Sequence, residues 1–93
     1  MGRKKDEATI TIQSVNSYTM LVKIYEGKST DESDIIKNFE MEAAEIREFV
    51  IKTKKDYTIY VKTYASFSSP RSRTINVKKS CTLEVSQYGI DGC

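Results

Sequence analysis

The chain of 93 residues contains no histidine and no tryptophan, one proline, four glycines and two cysteines. The missing histidine excludes Ser-His and Cys-His nucleophile systems and removes the commonest metal ligand. Gly2, Gly27, Gly89 and Gly92 are too scattered to cradle a phosphate. No apolar run approaches the ~18 residues of a spanning helix, so no membrane insertion is expected. Residues 1–7 are charged with no apolar stretch behind them, and do not read as a signal peptide. Asp6 stands where a myristoylation motif needs Ser or Thr. A net charge of +2 is too small to imply a specific nucleic-acid partner. Only two leucines are present, and leucine with alanine is the usual material of helical bundles.

What is abundant is β-branched. Ten Ile, six Val and nine Thr make about a quarter of the chain. Five segments alternate with period 2. Residues 8–13 turn Ile10 and Ile12 inward. After an Asn16-Ser17 turn, residues 18–26 turn Met20, Val22 and Ile24 inward. Residues 57–65 do so with Tyr57, Ile59 and Val61, residues 73–79 with Ile75 and Val77, and residues 81–88 with Cys81, Leu83 and Val85. Residues 27–34 and 66–72 read as polar loops, and residues 1–7 as a loose, disordered arm or a remnant of expression. Residues 8–93 form one β-rich domain. A domain of this size buries roughly 60–70% of its unfolded surface, which favours a surface or groove over an enclosed cavity.

Residues 35–52 admit two readings. Ile35, Ile36, Phe39, Ala43, Ile46 and Val50 fall near helical spacing, four glutamates favour a helix, and Ser33 stands where a cap would be. Against this, Phe39, Met41 and Ala43 alternate, Ala44-Glu45 turns the chain, and Phe49 and Ile51 alternate again. The β-rich surroundings favour two strands. The expected fold is an all-β sandwich of about seven short antiparallel strands. The alternative is an α+β domain with a helix near residues 34–48.

Asn16 to Tyr25, Ala43-Ala44-Glu45 and Tyr57-Thr58-Ile59-Tyr60-Val61 together resemble small extracytoplasmic β-sandwich repeats of the PEGA and related immunoglobulin-like kinds. The resemblance spans about residues 8–88, with Ala43 to Glu45 in place of a small-Gly-Glu turn. It implies a non-catalytic module, often attached to larger surface or envelope proteins, and assigns no functional residue.

The residues offer several candidate sites. Asp31, Glu32 and Asp34 lie in an acidic stretch, and carboxylates suit hard cations. EF-hand spacing is absent, so a solvated face is the better reading. No metal and no cofactor is expected. Tyr60, Lys62 and Tyr64 share the outer face of one strand, with Tyr25 able to join from its own strand. Tyrosine is enriched in binding patches, although cross-strand tyrosines also simply stabilise sheets. Arg71 and Arg73 offer forked donors to an anionic partner, or ordinary solubilising charge in a turn.

Two cysteines in a small domain suggest a bridge only in an oxidising compartment. A straight strand from Cys81 to Tyr88 runs roughly 23 Å. Five residues return at most about 17 Å. The remainder matches the ~5.5–6 Å of bridged Cα atoms only if Gly89 and Gly92 fold the tail back tightly. The expectation is therefore a small core residue at Cys81 and a free thiol at Cys93.

The chain is thus expected to be a non-enzymatic binding or accessory module, protein- or glycan-binding and part of a surface-associated protein. The alternative is a cytosolic or phage-encoded regulator that inhibits a protein partner, for example by adding a strand to a sheet edge. An extracytoplasmic location follows if the chain is a mature fragment. Oligomeric state and partner identity are not legible.

Overall fold

Alternating β-branched side chains build eight strands in the computed structural model, which describes residues 6–64 and 69–93. They are β1 Glu7–Ser14, β2 Met20–Glu26, β3 Ile35–Met41, β4 Ile46–Lys52, β5 Lys55–Thr63, β6 Arg71–Val77, β7 Cys81–Ser86 and β8 Gly89–Gly92. One sheet has the order β4-β1-β7-β8 and the other β3-β2-β5-β6. The chain changes sheet between β1 and β2, β3 and β4, β4 and β5, and β6 and β7. The all-β sandwich is therefore observed, and residues 35–52 form two strands. All pairings are antiparallel except β1 with β7, which is parallel. The fully antiparallel expectation fails there because a strand from each end of the chain fills the middle of one sheet.

The core is one apolar layer between the sheets. Ala8, Ile10 and Ile12 on β1 and Leu83 and Val85 on β7 face Met20, Val22 and Ile24 on β2 and Tyr57, Ile59 and Val61 on β5. A one-residue slip in any of these strands would turn its apolar set to solvent, so the register is strongly specified. Phe39 and Phe49 close one side of the sandwich with ring centroids 5.1 Å apart. The Arg47 guanidinium lies over Phe39 and the Lys37 ammonium over Phe49.

The β3–β4 connection turns without glycine or proline. Ala44 takes a left-handed conformation at φ 64°. Glu45 fixes the turn: its carboxylate accepts from the Glu42 N–H at 2.8 Å, and its own N–H donates to the Glu42 carbonyl at 3.1 Å. Arg47 grips the same carboxylate at 2.7 Å. These two partners, the Glu42 amide first, hold the Glu45 carboxyl below the usual carboxylate range.

The cysteine expectation is overturned: Cys81 and Cys93 are bridged, with Cα atoms 5.2 Å apart. The outgoing strand stops at Ser86 rather than Tyr88, and β8 returns beside it with Leu83 opposite Gly92. Gly92 adopts φ 107°, and a Cβ there would collide with the Thr82 carbonyl.

Two outcomes follow. Ala44→Gly should raise stability by about 0.5–1 kcal/mol, because glycine removes the left-handed penalty at some entropic cost, whereas Ala44→Val should lower it. Urea midpoints at unchanged slope measure both. Cys93→Ser should cost about 2–3 kcal/mol for a loop this short. The intact protein, weighed without reductant, should be lighter by the hydrogens of both thiols.

Candidate functional site

The outer face of the β3-β2-β5-β6 sheet carries the sequence-derived candidates. Tyr60 pairs across β2 with Lys23, Lys62 with Leu21, and Tyr64 follows the end of β5. The Lys23 ammonium stands 5.8 Å from the Tyr60 ring centre, and Tyr60 is half-buried. Lys62 is exposed. Tyr64 is exposed, but its hydroxyl donates to Glu40 at 2.8 Å, and that hydrogen bond raises its pKa.

Tyr25 lies on the same face but is only 2% exposed. The 3-10 turn Glu32–Asp34 folds over it, and the Tyr25 hydroxyl donates to Glu32 at 2.9 Å. Burial, then the Glu32 carboxylate, push its pKa up to about 12. Lys23 meets the same carboxylate at 3.4 Å. Nothing local in the sequence signals this cover, because Glu32 is brought over Tyr25 by the intervening loop.

The acidic loop is used internally. Asp31 caps the 3-10 turn by accepting from the Ser33 N–H, Glu32 serves Tyr25 and Lys23, and Asp34 accepts from the Ser29 hydroxyl. No group of three or more His, Cys, Asp or Glu side chains able to hold a metal ion occurs among the described residues. Arg71 and Arg73 brace the seam between β6 and β8: Arg71 Nε donates to the Gln87 carbonyl at 3.4 Å, and Arg73 Nη1 to the Ile90 carbonyl at 3.0 Å. The candidates therefore divide between a sheet face and a seam. Ser68 of the basic loop, Ala65 of the 57–65 segment and residues 1–5 of the arm lie outside the described residues.

A second set was missed by the sequence reading. Connections 15–19, 42–45 and 87–88 meet at one end of the sandwich, where β5 also ends. Buried Asn16 ties this end together. Its side-chain amide donates to the Tyr18 carbonyl at 3.2 Å and the Thr63 hydroxyl at 3.3 Å, and its Oδ1 accepts from the Gln87 N–H at 3.3 Å. On this frame Val15, Tyr18 and Tyr88 stand exposed, Tyr88 at 79%. The signal available in the sequence was a bulky side chain next to a turn residue, Tyr18 after Asn16-Ser17 and Tyr88 before Gly89.

Two open clefts flank the sheets. One of about 350 Å³ lies between Ile36, Val50 and Tyr57, and one of its two carboxylates, Glu26, is paired with Lys55 at 2.8 Å. The other, about 300 Å³, is lined by Asn76, Lys78, Lys79 and the disulfide.

No protein-family profile and no curated protein matches the chain. Among solved structures, the chain resembles wild-type pneumolysin, with a TM-score of 0.55 and 10% identity over 94% of this chain and 23% of that one. It also resembles a chain described as a trapped toxin, at 0.50 and 9% identity over 94% and 22%. The membrane-binding domain of pneumolysin aligns at 0.49 and 11% identity over 94% and 96%. The chain spans about a quarter of the length of the first two. At this identity the likeness is one of fold. None of these structures carries a PEGA or immunoglobulin-like name, and the part of the sequence resemblance that the fold shows is the small all-β sandwich.

The Tyr25 contact has a pH signature. With the folded-state pKa near 12 against 10.0 in the unfolded chain, the neutral hydroxyl is favoured by folding. Its contribution is fully present below pH 10 and is lost as pH rises through the folded value. In an ultraviolet titration of tyrosinate, Tyr25→Phe should delete a late-ionising group and flatten the stability loss over that window. Six tyrosines ionising together near the ordinary value would refute the contact.

Proposed function

We propose that this chain is a non-catalytic binding module that docks a protein or glycan through its loop end. Tyr18, Tyr88 and Val15 form the contact surface, flanked by Tyr64 and Lys62 on the adjoining sheet face. The observation that carries this reading is the set of large exposed side chains on loops that a buried polar residue holds in place. Rigid tyrosines give contact area at little entropic cost, and loops on a fixed sandwich are the usual place for recognition. Solvent-facing Tyr88 contributes little to the fold, so its exposure asks for a role outside it.

The surface-associated setting is part of the same proposal. It is supported by the Cys81–Cys93 bridge, since disulfides persist in oxidising compartments. Arg71 and Arg73 enter as braces of the β6–β8 seam, holding the Gln87 and Ile90 carbonyls rather than a ligand.

The test is the double substitution Tyr18→Ser, Tyr88→Ser. Both rings are exposed, so stability should change by about half a kcal/mol or less per site. Binding of the purified chain to a glycan array and to a solubilised envelope fraction should fall more than tenfold, as expected when aromatic anchors are removed. Retention of full binding by the double variant, or no binding by the wild type to either, would overturn the proposal.

A further inference from the structure

The sandwich has four edge strands, and three of them are guarded. β3 carries a bulge opposite Ile24/Tyr25, and Arg47 Nη2 donates to its Glu40 carbonyl. β6 and β8 face each other, with Arg73 bridging to the Ile90 carbonyl. Bulges and charged covers of this kind are how sheets prevent edge-to-edge pairing. β4 has one such contact, at its last residue, where the Tyr57 hydroxyl donates to the Lys52 carbonyl at 2.9 Å; the edge from Ile46 to Ile51 has none among the described residues.

The ladder between β1 and β4 shows which backbone groups of β4 are free. The Ser14 N–H donates to the Glu45 carbonyl at 2.9 Å, and the Thr53 N–H donates to the Asp6 carbonyl at 2.8 Å. These bonds bracket the register Ala8–Ile51, Ile10–Phe49 and Ile12–Arg47. Hydrogen-bonded and open pairs alternate in an antiparallel ladder. The odd-numbered residues of β4 therefore point their backbone groups at β1. Ile46, Glu48, Val50 and Lys52 turn theirs to the open edge, where the Lys52 carbonyl already accepts from the Tyr57 hydroxyl and the other groups have no partner among the described residues. The side chains of these same residues are exposed, Ile46 at 56% and Val50 at 64%.

We infer that this edge pairs with the same edge of a second copy, antiparallel about a two-fold axis through Val50. Only registers that oppose even-numbered residues satisfy the free groups. Centring on Glu48 would set two carboxylates against each other. Centring on Phe49 would set each charge opposite an aliphatic side chain. Centring on Val50 places Val50 against its symmetry mate and Glu48 against Lys52 on both sides of the axis. Neither Glu48 nor Lys52 forms an ion pair with another described residue. The edge is thus self-complementary in apolar contact, charge and hydrogen bonding, with the Lys52 carbonyl taking the mate's Glu48 N–H on the lone pair that Tyr57 leaves open, as an isologous interface requires. The two β4-β1-β7-β8 sheets become one continuous eight-stranded sheet. The partner is a second copy of this chain, and the inference does not rest on the loop-end reading.

Sedimentation equilibrium over a concentration series tests it with charge exchange. The wild type should dimerise. Glu48→Lys and Lys52→Glu should each weaken the dimer about tenfold or more, because both cross-axis pairs become like-charged. An equimolar mixture of the two variants should recover the affinity as a heterodimer, since every opposed pair is again of opposite sign. The double swap Glu48→Lys, Lys52→Glu should recover it as a homodimer. Circular dichroism of each single variant confirms that the fold is kept. A wild type that stays monomeric throughout, single variants that dimerise like the wild type, or a mixture that stays monomeric would each overturn the inference.

Discussion

The structure depends on a single apolar layer that both sheets must share. Each strand can contribute only alternate residues to it, and every inward residue of one sheet needs a counterpart on the other. In a chain this short the layer is thin, so the chain must change sheet repeatedly to keep both sides supplied. That requirement explains the compact β3–β4 turn. Met41 ends one inward row, Ile51 belongs to the opposite one, and only four residues separate the two strands. Glycine would fit that turn more easily. Here Ala44 tolerates the left-handed backbone because Glu45 takes the Glu42 N–H and Arg47 together, which over-determines the turn from its flanks.

The polar groups inside the molecule sit where the layer ends. Asn16 and Thr63 meet at the loop end, and Thr58 donates to the Gly27 carbonyl near the other. No buried side-chain nitrogen or oxygen among the described residues lacks a partner. An unpartnered buried amide would cost about 1–3 kcal/mol, so Asn16 is tolerable only because two connections and the end of β5 supply its partners together. The same arrangement gives the loop end its shape. A residue that satisfies a structural demand thereby positions side chains that the core does not need.

Much of this fold was legible in the sequence because period 2 survives any tertiary context. Ile10 and Ile12, Met20, Val22 and Ile24, Ile59 and Val61, and Leu83 and Val85 are inward as their alternation requires. Residues 35–52 were ambiguous because edge strands are half-buried. Ile36, Ile46 and Val50 remain exposed, so their apolar character imitates a helical stripe without marking a core face. The disulfide was not legible because the hydrophobic pattern continues to Tyr88, whereas the strand turns two residues earlier and leaves enough chain to return. The state of Tyr25 was not legible at all. Its neighbours in sequence assign it to an outer face, while its burial comes from a loop that folds over that face.

The same limit separates the two unassigned surfaces. A sheet face announces itself through alternation, so Tyr60, Lys62 and Tyr64 are visible as a row, yet in the fold two of the three serve neighbouring charges, Tyr60 under Lys23 and Tyr64 on Glu40. Loop residues have no periodicity, so Tyr18 and Tyr88 carry no pattern that would join them across 70 residues of chain. An edge is less visible still, because whether β4 is central or peripheral depends on the order of strands in space. The loop end sits beyond the ends of the strands, whereas the β4 edge runs alongside them through Val50. The two surfaces share no residue, so pairing through one leaves the other open. A second copy joined along β4 would carry a loop end of its own, and two weak contacts held on one rigid body bind a repetitive surface more tightly than either alone.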